Sequence, residues 1–515
     1  MSSFAATGDA TAQVPPVATV LGPFETEHQG VPLCWVEAPG TVVGGLTFGV
    51  GAADEPAHLV GITHLVEHLL FRSMGTTNLR ANAVTGVDTV TFFTVGTVDE
   101  VVDFLHDVAR AVREPRFTEA DLERELHVVR AERPNGVDAV PGLLTHRFGL
   151  GGPGNAAAGW PALPAVTLDE ARGWVARWFV AQNAALTLST APPADLDVRL
   201  PAGRRPSRTE PVERVRVPTL VATPKAGVGI SLLVPAEHAD LLADCLLQEV
   251  TTELRTRRAL VYCVDTETVP VGADRCQVEL LLDPLTADVP AVAEGAVLLL
   301  RRLAHDGFAA EVLAEAVDAL AAGRGLLDEP LQRLGRWADA AVIGRRPPPD
   351  PADEVARARA VTSADLAAVL AGALPTLVVA HEEDAPVEER ASALGLEVDD
   401  GLPFEETRDR VPRGVRMRRP RGGGPRLGVD AHHVWGRVGG TARRIPLADV
   451  VLVVVDEDAA VLVVDRMGRA LALRPEQWPR AEAMAEQIAA GAPDAVVRRA
   501  VWPDRGRSRF RRSGL

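Results

Sequence analysis

Five consecutive residues, His64-Leu65-Val66-Glu67-His68, place two imidazoles and one carboxylate at a spacing that suits a metal site. Residues three and four apart are neighbours on a helix, so His64, Glu67 and His68 would share one face. Two neutral histidines can bind Zn²⁺, and a carboxylate that does not bind the metal can serve as a base toward an activated water. The motif therefore predicts metal-assisted hydrolysis. The alternative is a buried helix whose histidines are four apart by chance.

The residues around this motif predict that it lies on a helix. Gly61 precedes it, and apolar residues recur at helical spacing at Ile62, Leu65 and Leu69. No proline follows until well past Phe71, so nothing in the sequence interrupts the helix.

A second predicted helix supplies further carboxylates. It begins at Thr118, which would cap it together with Asp121, and Pro134 would end it. Glu125 and Glu132 are seven residues apart, or two helical turns, so they share one face. A catalytic zinc needs a third protein ligand, which Glu132 can be, while Glu125 can support the ligands. The alternative is two solvated glutamates on an acidic helix.

These segments resemble the insulinase/pitrilysin family of zinc metallopeptidases, family M16, and in particular its mitochondrial processing peptidase-like, two-domain bacterial branch. The order His-x-x-Glu-His is that of the inverzincins, and Asn82-Ala83-Val84-Thr85 is similar to the family's Asn-Ala-x-Thr strand. The resemblance implies one Zn²⁺ per chain. The residues it implies are the metal ligands His64, His68 and Glu132, the general base Glu67, the supporting Glu125, and Asn82 and Ala83 as contacts to substrate.

The chain departs from the family in the segment between Phe71 and Asn82, which is shorter than usual because a helix normally found there is reduced to residues 72–80. The family-based expectation is an endopeptidase that hydrolyses unfolded or short polypeptides inside a clam-like chamber. Because the shortened segment lies beside the expected groove, the alternative is a catalytically silent peptide-binding or scaffold subunit.

A faint internal repeat predicts a second domain. Capped helices begin at Thr167 and Thr362, 195 residues apart, and each is followed by an apolar strand. The second half lacks the histidine motif, but the segment from Leu254 to Tyr262 resembles the family's arginine-to-tyrosine segment. The resemblance implies that Arg255 and Tyr262 act in catalysis from the metal-less domain, in a homodimer or in a heterodimer with an inactive homologue.

The expected fold is α+β, with two homologous domains that each have a mostly antiparallel sheet and helices on one face. We expect a flexible tail over 1–20, a zinc-bearing domain over 21–205, a metal-less domain over 215–385, a charged linker over 386–430 and a small β-rich, PH-like domain over 431–515.

Composition indicates a large cytoplasmic protein. The 515 residues carry a net charge of −16, which disfavours a general nucleic-acid binder. No lysine or arginine precedes Arg72, so no basic targeting segment is expected. Four cysteines without a CxxC pair fit a reducing compartment.

Residues 401–515 differ from the rest, with 22 arginines against 14 acidic residues. This asymmetry predicts a separate module. Partner docking or contact with an anionic membrane surface is compatible with it, and the alternative is a solvated basic face.

Overall fold

The structure is a computed structural model that describes residues 21–75, 80–132, 143–223, 226–326, 328–399, 405–407, 409–423, 426–438, 441–456 and 458–500. The expected tail 1–20, the helix stop at Pro134 and the basic end after residue 500 lie outside the described residues. Two α+β domains and a β-rich C-terminal domain make up the described chain, so the expected fold class is confirmed.

The first domain is built on a six-stranded sheet. Its strands are β1 (Leu21–His28), β2 (Val31–Glu37), β3 (Val42–Phe48), β4 (Asn82–Thr85), β5 (Val90–Gly96) and β6 (Ala184–Leu188). Their spatial order is β1-β2-β6-β3-β5-β4, and every neighbouring pair is antiparallel except β2 and β6. The described residues of this part of the chain form five α-helices: α1 (Ile62–Met74), α2 (Val98–Arg113), α3 (Glu119–Glu132), α4 (Leu143–Phe148) and α5 (Leu168–Trp178).

The core of the first domain lies between one face of this sheet and α1, α2, α3 and α5. Helix α1 buries Ile62, Leu65 and Leu69, as their helical spacing predicted. Phe48 and Phe92 meet edge to face in the same core, with ring centroids 6.3 Å apart. Burial of this apolar stripe fixes the rotation of α1, and that rotation decides where its polar residues point.

The second domain is also built on a six-stranded sheet. Its strands are β7 (Thr219–Thr223), β8 (Val228–Pro235), β9 (Val261–Val271), β10 (Arg275–Pro284), β11 (Val378–Glu382) and β12 (Glu397–Asp399). Their spatial order is β12-β7-β11-β8-β10-β9. The helices are α6 (Ala239–Val250), which a π-helical turn at Thr251–Arg257 extends, α7 (Val289–Asp306), α8 (Ala310–Arg324), α9 (Glu329–Ile343), α10 (Pro351–Ala360), α11 (Ser363–Ala373) and α12 (Glu388–Ala391).

The two sheets repeat one topology, which confirms the duplication expected from the sequence. The order β2-β6-β3-β5-β4 corresponds to β7-β11-β8-β10-β9, and in each sheet only the first of these pairs is parallel. The helix before β6 begins at a capping box of Thr167 and Glu170. The helix before β11 begins at the equivalent pair Thr362 and Asp365. Residues 189–218, between the repeats, contain no helix or strand.

Each domain contributes one helix that packs on the outer face of the other domain's sheet. Helix α9 packs Leu334 and Trp337 against β2 and β6 of the first sheet. Helix α4 packs on the second sheet, where the buried guanidinium of Arg147 donates to Ser231 and Gln277 and pairs with Glu213 at 2.9 Å. Because of this exchange, the two domains are joined by more than the connecting segment.

The segment expected to be a charged linker, 386–430, is structured in part, which corrects that expectation. Strand β12 pairs in parallel with β7, and Val387, Ala391 and Leu396 belong to the second domain's core. The second domain therefore extends to Asp399. The high charge of this segment concealed the apolar residues that are buried, among them Val387, Ala391 and Leu396.

The C-terminal domain contains two four-stranded sheets. Their strands are β13 (Glu405–Glu406), β14 (Arg426–Val429), β15 (His433–Val438), β16 (Thr441–Pro446), β17 (Val450–Asp456), β18 (Val461–Asp465), β19 (Ala470–Leu473) and β20 (Val496–Ala500). The orders are β13-β16-β15-β14 and β19-β18-β17-β20.

The sequence predicts that a helix over residues 475–490 closes this PH-like domain, and the structure differs from that prediction in two details. Helix α13 (Ala481–Gly491) does not close the domain, because β20 follows it and pairs in parallel with β17. The helix also begins six residues later than expected, since Pro479 disfavours helical backbone at the residue before it. Among the described residues, no helix has the length and apolar character needed to cross a bilayer.

Candidate metal centre

The start of α1 is fixed by a buried carboxylate. Glu55 accepts hydrogen bonds from the backbone N–H groups of Gly61 and Thr63, at 2.7 and 2.8 Å, so it satisfies two amides that a helix start leaves unpaired. Gly61 has φ +96°, and a Cβ there would lie 2.8 Å from the Trp160 ring. Glycine is therefore required where the chain enters the helix.

Three candidate ligands converge on one point. His64 Nε2 and His68 Nε2 are 3.2 Å apart, and Glu132 Oε2 lies 3.4 Å from the first and 3.3 Å from the second. Ligand atoms about 2.1 Å from a tetrahedral zinc lie about 3.4 Å from one another. The three atoms thus form one face of a tetrahedron of the size zinc requires, and the donor set of two imidazoles and one carboxylate fits the ion.

Glu125 orients His68 from behind. Its Oε2 lies 3.2 Å from His68 Nδ1, so Nδ1 carries the proton and Nε2 is left to face the other ligands. Its second oxygen accepts from Arg72 Nη1 at 2.9 Å, and Arg72 Nε donates to Asp121 at 2.8 Å. Helix α3 supplies both glutamates, seven residues apart. Glu132 therefore lies beside the Nε2 atoms of the two histidines, and Glu125 lies behind His68, next to its Nδ1 atom.

The protonation of the two histidines differs. Burial, together with the neighbouring His68, lowers the pKa of His64 to about 4, although Glu132 opposes this. Burial also acts to lower the pKa of His68, but the hydrogen bond from Glu125 and the charge of Glu132 outweigh it and raise the pKa. His64 is therefore neutral and ready to bind a cation at physiological pH, and His68 is the histidine at which protons compete with a metal.

Glu67 lies on the same face of α1 without belonging to the ligand triangle. It is 7% exposed, and burial raises its pKa while the hydrogen bond from Thr85 opposes the shift. Thr85 Oγ1 donates to Glu67 Oε2 at 2.7 Å, which fixes one carboxylate oxygen and leaves the other free. A carboxyl with a raised pKa beside a metal site has the properties of a proton carrier.

A cavity of about 880 Å³ opens over these residues. Asn82 and Ala83 of β4, the predicted substrate contacts, line it, and so do Trp160, Asn155 and Thr85. Strand β4 is an edge strand of the first sheet, so among the described residues its outer edge has no strand partner.

The other two expected site residues lie elsewhere on the chain. Arg255 lies in the π-helical turn, and Tyr262 follows on β9, an edge strand of the second sheet. The Tyr262 side chain is 80% exposed, and neither residue lines the cavity of this chain. The structure of one chain therefore does not bring them to the ligand triangle.

Several residues at the site were not found by sequence reasoning. Glu55, Asn155 and Trp160 carry no local signal, because their roles depend on contacts between segments distant in sequence. Arg72 could have been found, since it lies four residues after His68 and so shares its helix face.

Residues 39–145 match the family model described as insulinase, peptidase family M16. No curated protein matches the chain in sequence.

Three similar solved structures have TM-scores of 0.57. An inactive peptidase M16 domain from Pseudomonas fluorescens is 17% identical, with 70% of this chain and 97% of that chain covered. A protease from Helicobacter pylori is 17% identical, with 69% and 98% covered. A chain in the complex III2 structure from Candida albicans is 14% identical, with 70% and 95% covered. At these identities the likeness shows the shared fold, and it includes a domain described as inactive. Residues 39–145, which carry the motif, are therefore similar to the insulinase family, peptidase family M16, and the chain shares the fold of a solved M16 domain.

Proposed function

We propose that this protein is a zinc-dependent endopeptidase that hydrolyses unfolded or short polypeptides. The observation that carries the proposal is the ligand triangle of His64, His68 and Glu132, whose edges of 3.2, 3.3 and 3.4 Å suit one tetrahedral zinc. Similarity to the M16 family alone does not decide activity, because a similar structure is described as an inactive domain. The complete set of donors favours a peptidase over a silent scaffold.

A zinc ion held by these three residues would polarise the scissile carbonyl and lower the pKa of a water molecule. Glu67 is the base in this proposal. Its free oxygen takes a proton from the attacking water, and the carboxyl then gives that proton to the leaving amine nitrogen. Thr85 keeps the other oxygen in place, so the proton moves to and from one defined atom.

The open edge of β4 is the proposed substrate path. An extended peptide can add to a sheet edge through backbone hydrogen bonds, which give affinity with little sequence selectivity. Asn82 and Ala83 lie on this strand and line the cavity, and Val84 is 54% exposed beside them. This arrangement suits a polypeptide in extended conformation.

We also propose that a second subunit completes the site. The exposed Tyr262 and the nearby Arg255 offer hydrogen-bond donors that suit the negative charge developing on a scissile carbonyl. Since they do not reach the cavity of their own chain, they would act across a homodimer or towards a metal-bearing partner in a heterodimer. The test is a mixture of His64→Ala and Tyr262→Phe chains, each inactive alone. Recovered activity on mixing supports the shared site, and no recovery in a mixture shown to dimerise contradicts it.

The main test uses Glu67→Gln, which keeps the side chain's shape and removes its basicity. We expect zinc to remain bound and cleavage of an unstructured peptide to fall by roughly 10²- to 10⁴-fold. The matched control is Glu123→Gln on the exposed side of α3, which should leave cleavage unchanged. Undiminished turnover by Glu67→Gln would contradict the proposed base. Peptide binding without cleavage by the zinc-loaded wild-type protein would instead support a scaffold subunit.

A further inference from the structure

One wall of the metal cavity is a segment with little structure of its own. We call residues 149–165 the cavity loop, because its Asn155 and Trp160 line the cavity. It contains five glycines and three prolines in 17 residues, and its only regular structure is two 3₁₀ turns, Gly152–Ala157 and Leu163–Ala165. A chain of this composition has high conformational entropy, so contacts from outside must hold it in one conformation.

The C-terminal domain supplies those contacts. Leu150 and Ala162 of the cavity loop are buried in an apolar cluster with Leu452, Val454 and Val464 of β17 and β18. The backbone N–H of Leu150 donates to the carbonyl of Arg466 at 2.8 Å. The outer side of the cavity loop is therefore packed against a β-sheet that belongs to the C-terminal domain.

Two further contacts extend this interface around the site. Arg498 of β20 pairs with Glu170, the capping residue of α5, at 2.5 Å. Strand β17 also contacts the turn at Ala57–Leu59, which leads into α1. The C-terminal domain thus touches the turn before α1, the helix that carries His64, and also helix α5, which packs against α1.

The inner side of the cavity loop contacts the metal centre. Asn155 Nδ2 donates to the backbone carbonyls of Ala52 and Glu55, at 2.9 and 2.7 Å, and so holds the segment that caps α1. The Trp160 ring lies 5.5 Å from the His64 ring, centroid to centroid. A continuous set of contacts therefore runs from β17 through the cavity loop to a candidate ligand.

We propose that the C-terminal domain positions the cavity loop, and through Trp160 and Asn155 sets the shape of the metal cavity. On this proposal the basic module is a fixed part of the catalytic unit. Trp160 and Asn155 are positioning residues, and Leu452 acts on the site through the cavity loop that carries them. The structural part of the proposal stands without the peptidase activity, whereas its effect on turnover rests on the proposed function.

The test compares Leu452→Ala with Leu473→Ala in the full chain. Both leucines are fully buried in the same domain, but Leu452 faces the cavity loop and Leu473 lies in the domain's own core. The protein is labelled with 5-fluorotryptophan, and the Trp160→Phe variant identifies the ¹⁹F resonance of Trp160. We expect Leu452→Ala to shift or broaden that resonance, and Leu473→Ala to leave it in place. Unchanged Trp160 signals in both folded variants would overturn the proposal.

A second pair of variants shows whether a change in the Trp160 resonance comes from a general loss of stability. Gly149 has φ +64°, and a Cβ there would lie 2.3 Å from the Arg466 carbonyl oxygen, so Gly149→Ala pushes the C-terminal domain off the cavity loop. Gly152→Ala is the matched control, because Gly152 has φ +77° and nothing within 4 Å of its Cβ position. We expect only Gly149→Ala to move the Trp160 resonance. Equal shifts in both variants would assign the effect to backbone strain and contradict the proposal.

The activity measurement separates this proposal from the proposed function. If the protein is a peptidase, kcat/KM should fall roughly ten- to a hundredfold in Leu452→Ala, because small displacements of positioning groups carry costs of that size. Zinc content should stay as in the wild-type protein. A wild-type protein without activity would contradict the peptidase proposal, and the ¹⁹F comparison would still decide whether the C-terminal domain positions Trp160.

Discussion

Glu125→Gln tests the outer support of the metal site. One oxygen of Glu125 accepts from His68 at 3.2 Å and the other from Arg72 at 2.9 Å, and the residue is 7% exposed. A glutamine amide has one acceptor, so in either orientation its NH₂ group faces a donor that the carboxylate had satisfied. His68 therefore loses part of its orientation and basicity.

The size of the effect follows from the kind of contact that is lost. Removal of such a partner of a metal-binding histidine typically weakens metal affinity by about 10- to 100-fold, or about 1.4 to 2.7 kcal/mol. Isothermal titration with Zn²⁺ against a competing chelator at pH 7.5 measures this change. Glu123→Gln, exposed on the same helix, is the control that should bind zinc as the wild-type protein does.

The pH dependence gives this prediction a second part. The pKa of His68 is raised in the wild-type protein, so protons compete with zinc there at a higher pH than for an ordinary histidine. Glu125→Gln removes a cause of that increase and lowers the pKa of His68. The affinity gap between wild type and variant should therefore narrow as the pH falls from 7.5 to 6. Wild-type zinc affinity in Glu125→Gln, or a gap that widens at low pH, would refute the reasoning.

Two further substitutions test the geometry of α1. Thr85→Val removes the hydrogen bond that opposes the raised pKa of Glu67, so the pKa of Glu67 should rise further. The acidic limb of the pH profile of kcat/KM should then move to higher pH. An acidic limb that does not move would contradict the role of Glu67 as the ionised base. Gly61→Ala should lower the thermal midpoint more than Gly75→Ala does. Both residues have positive φ, so each substitution costs about 1 to 2 kcal/mol for that conformation. Only Gly61 also has the Trp160 ring 2.8 Å from its Cβ position. Equal midpoints would show that this close approach does not constrain the helix start.

Local sequence patterns predicted the elements that carry the site. The spacing of Ile62, Leu65 and Leu69 predicted the buried face of α1, and that face determines the direction of His64 and His68. The capping residues predicted the starts of α5 and α11, because a capping box involves only four consecutive residues and is visible in the local sequence.

Features that depend on distant contacts were not predicted. The helix exchange of α4 and α9 has no local signal, since an amphipathic helix does not specify which sheet covers it. Strand β12 was missed because its segment is charged and β12 depends on pairing with β7, about 180 residues earlier. The cavity loop was missed for the same reason, since the apolar residues that it packs against lie about 300 positions later in the chain.

X-ray absorption at the zinc edge of the reconstituted protein tests the central claim most directly. The account predicts about one zinc per chain with nitrogen and oxygen neighbours at about 2.0 to 2.2 Å and no sulfur shell, with two of those neighbours from imidazole. The imidazole contribution should be lost in His64→Ala as zinc binding fails. A sulfur shell at about 2.3 Å, or a zinc environment that His64→Ala leaves unchanged, would place the metal elsewhere and contradict the site.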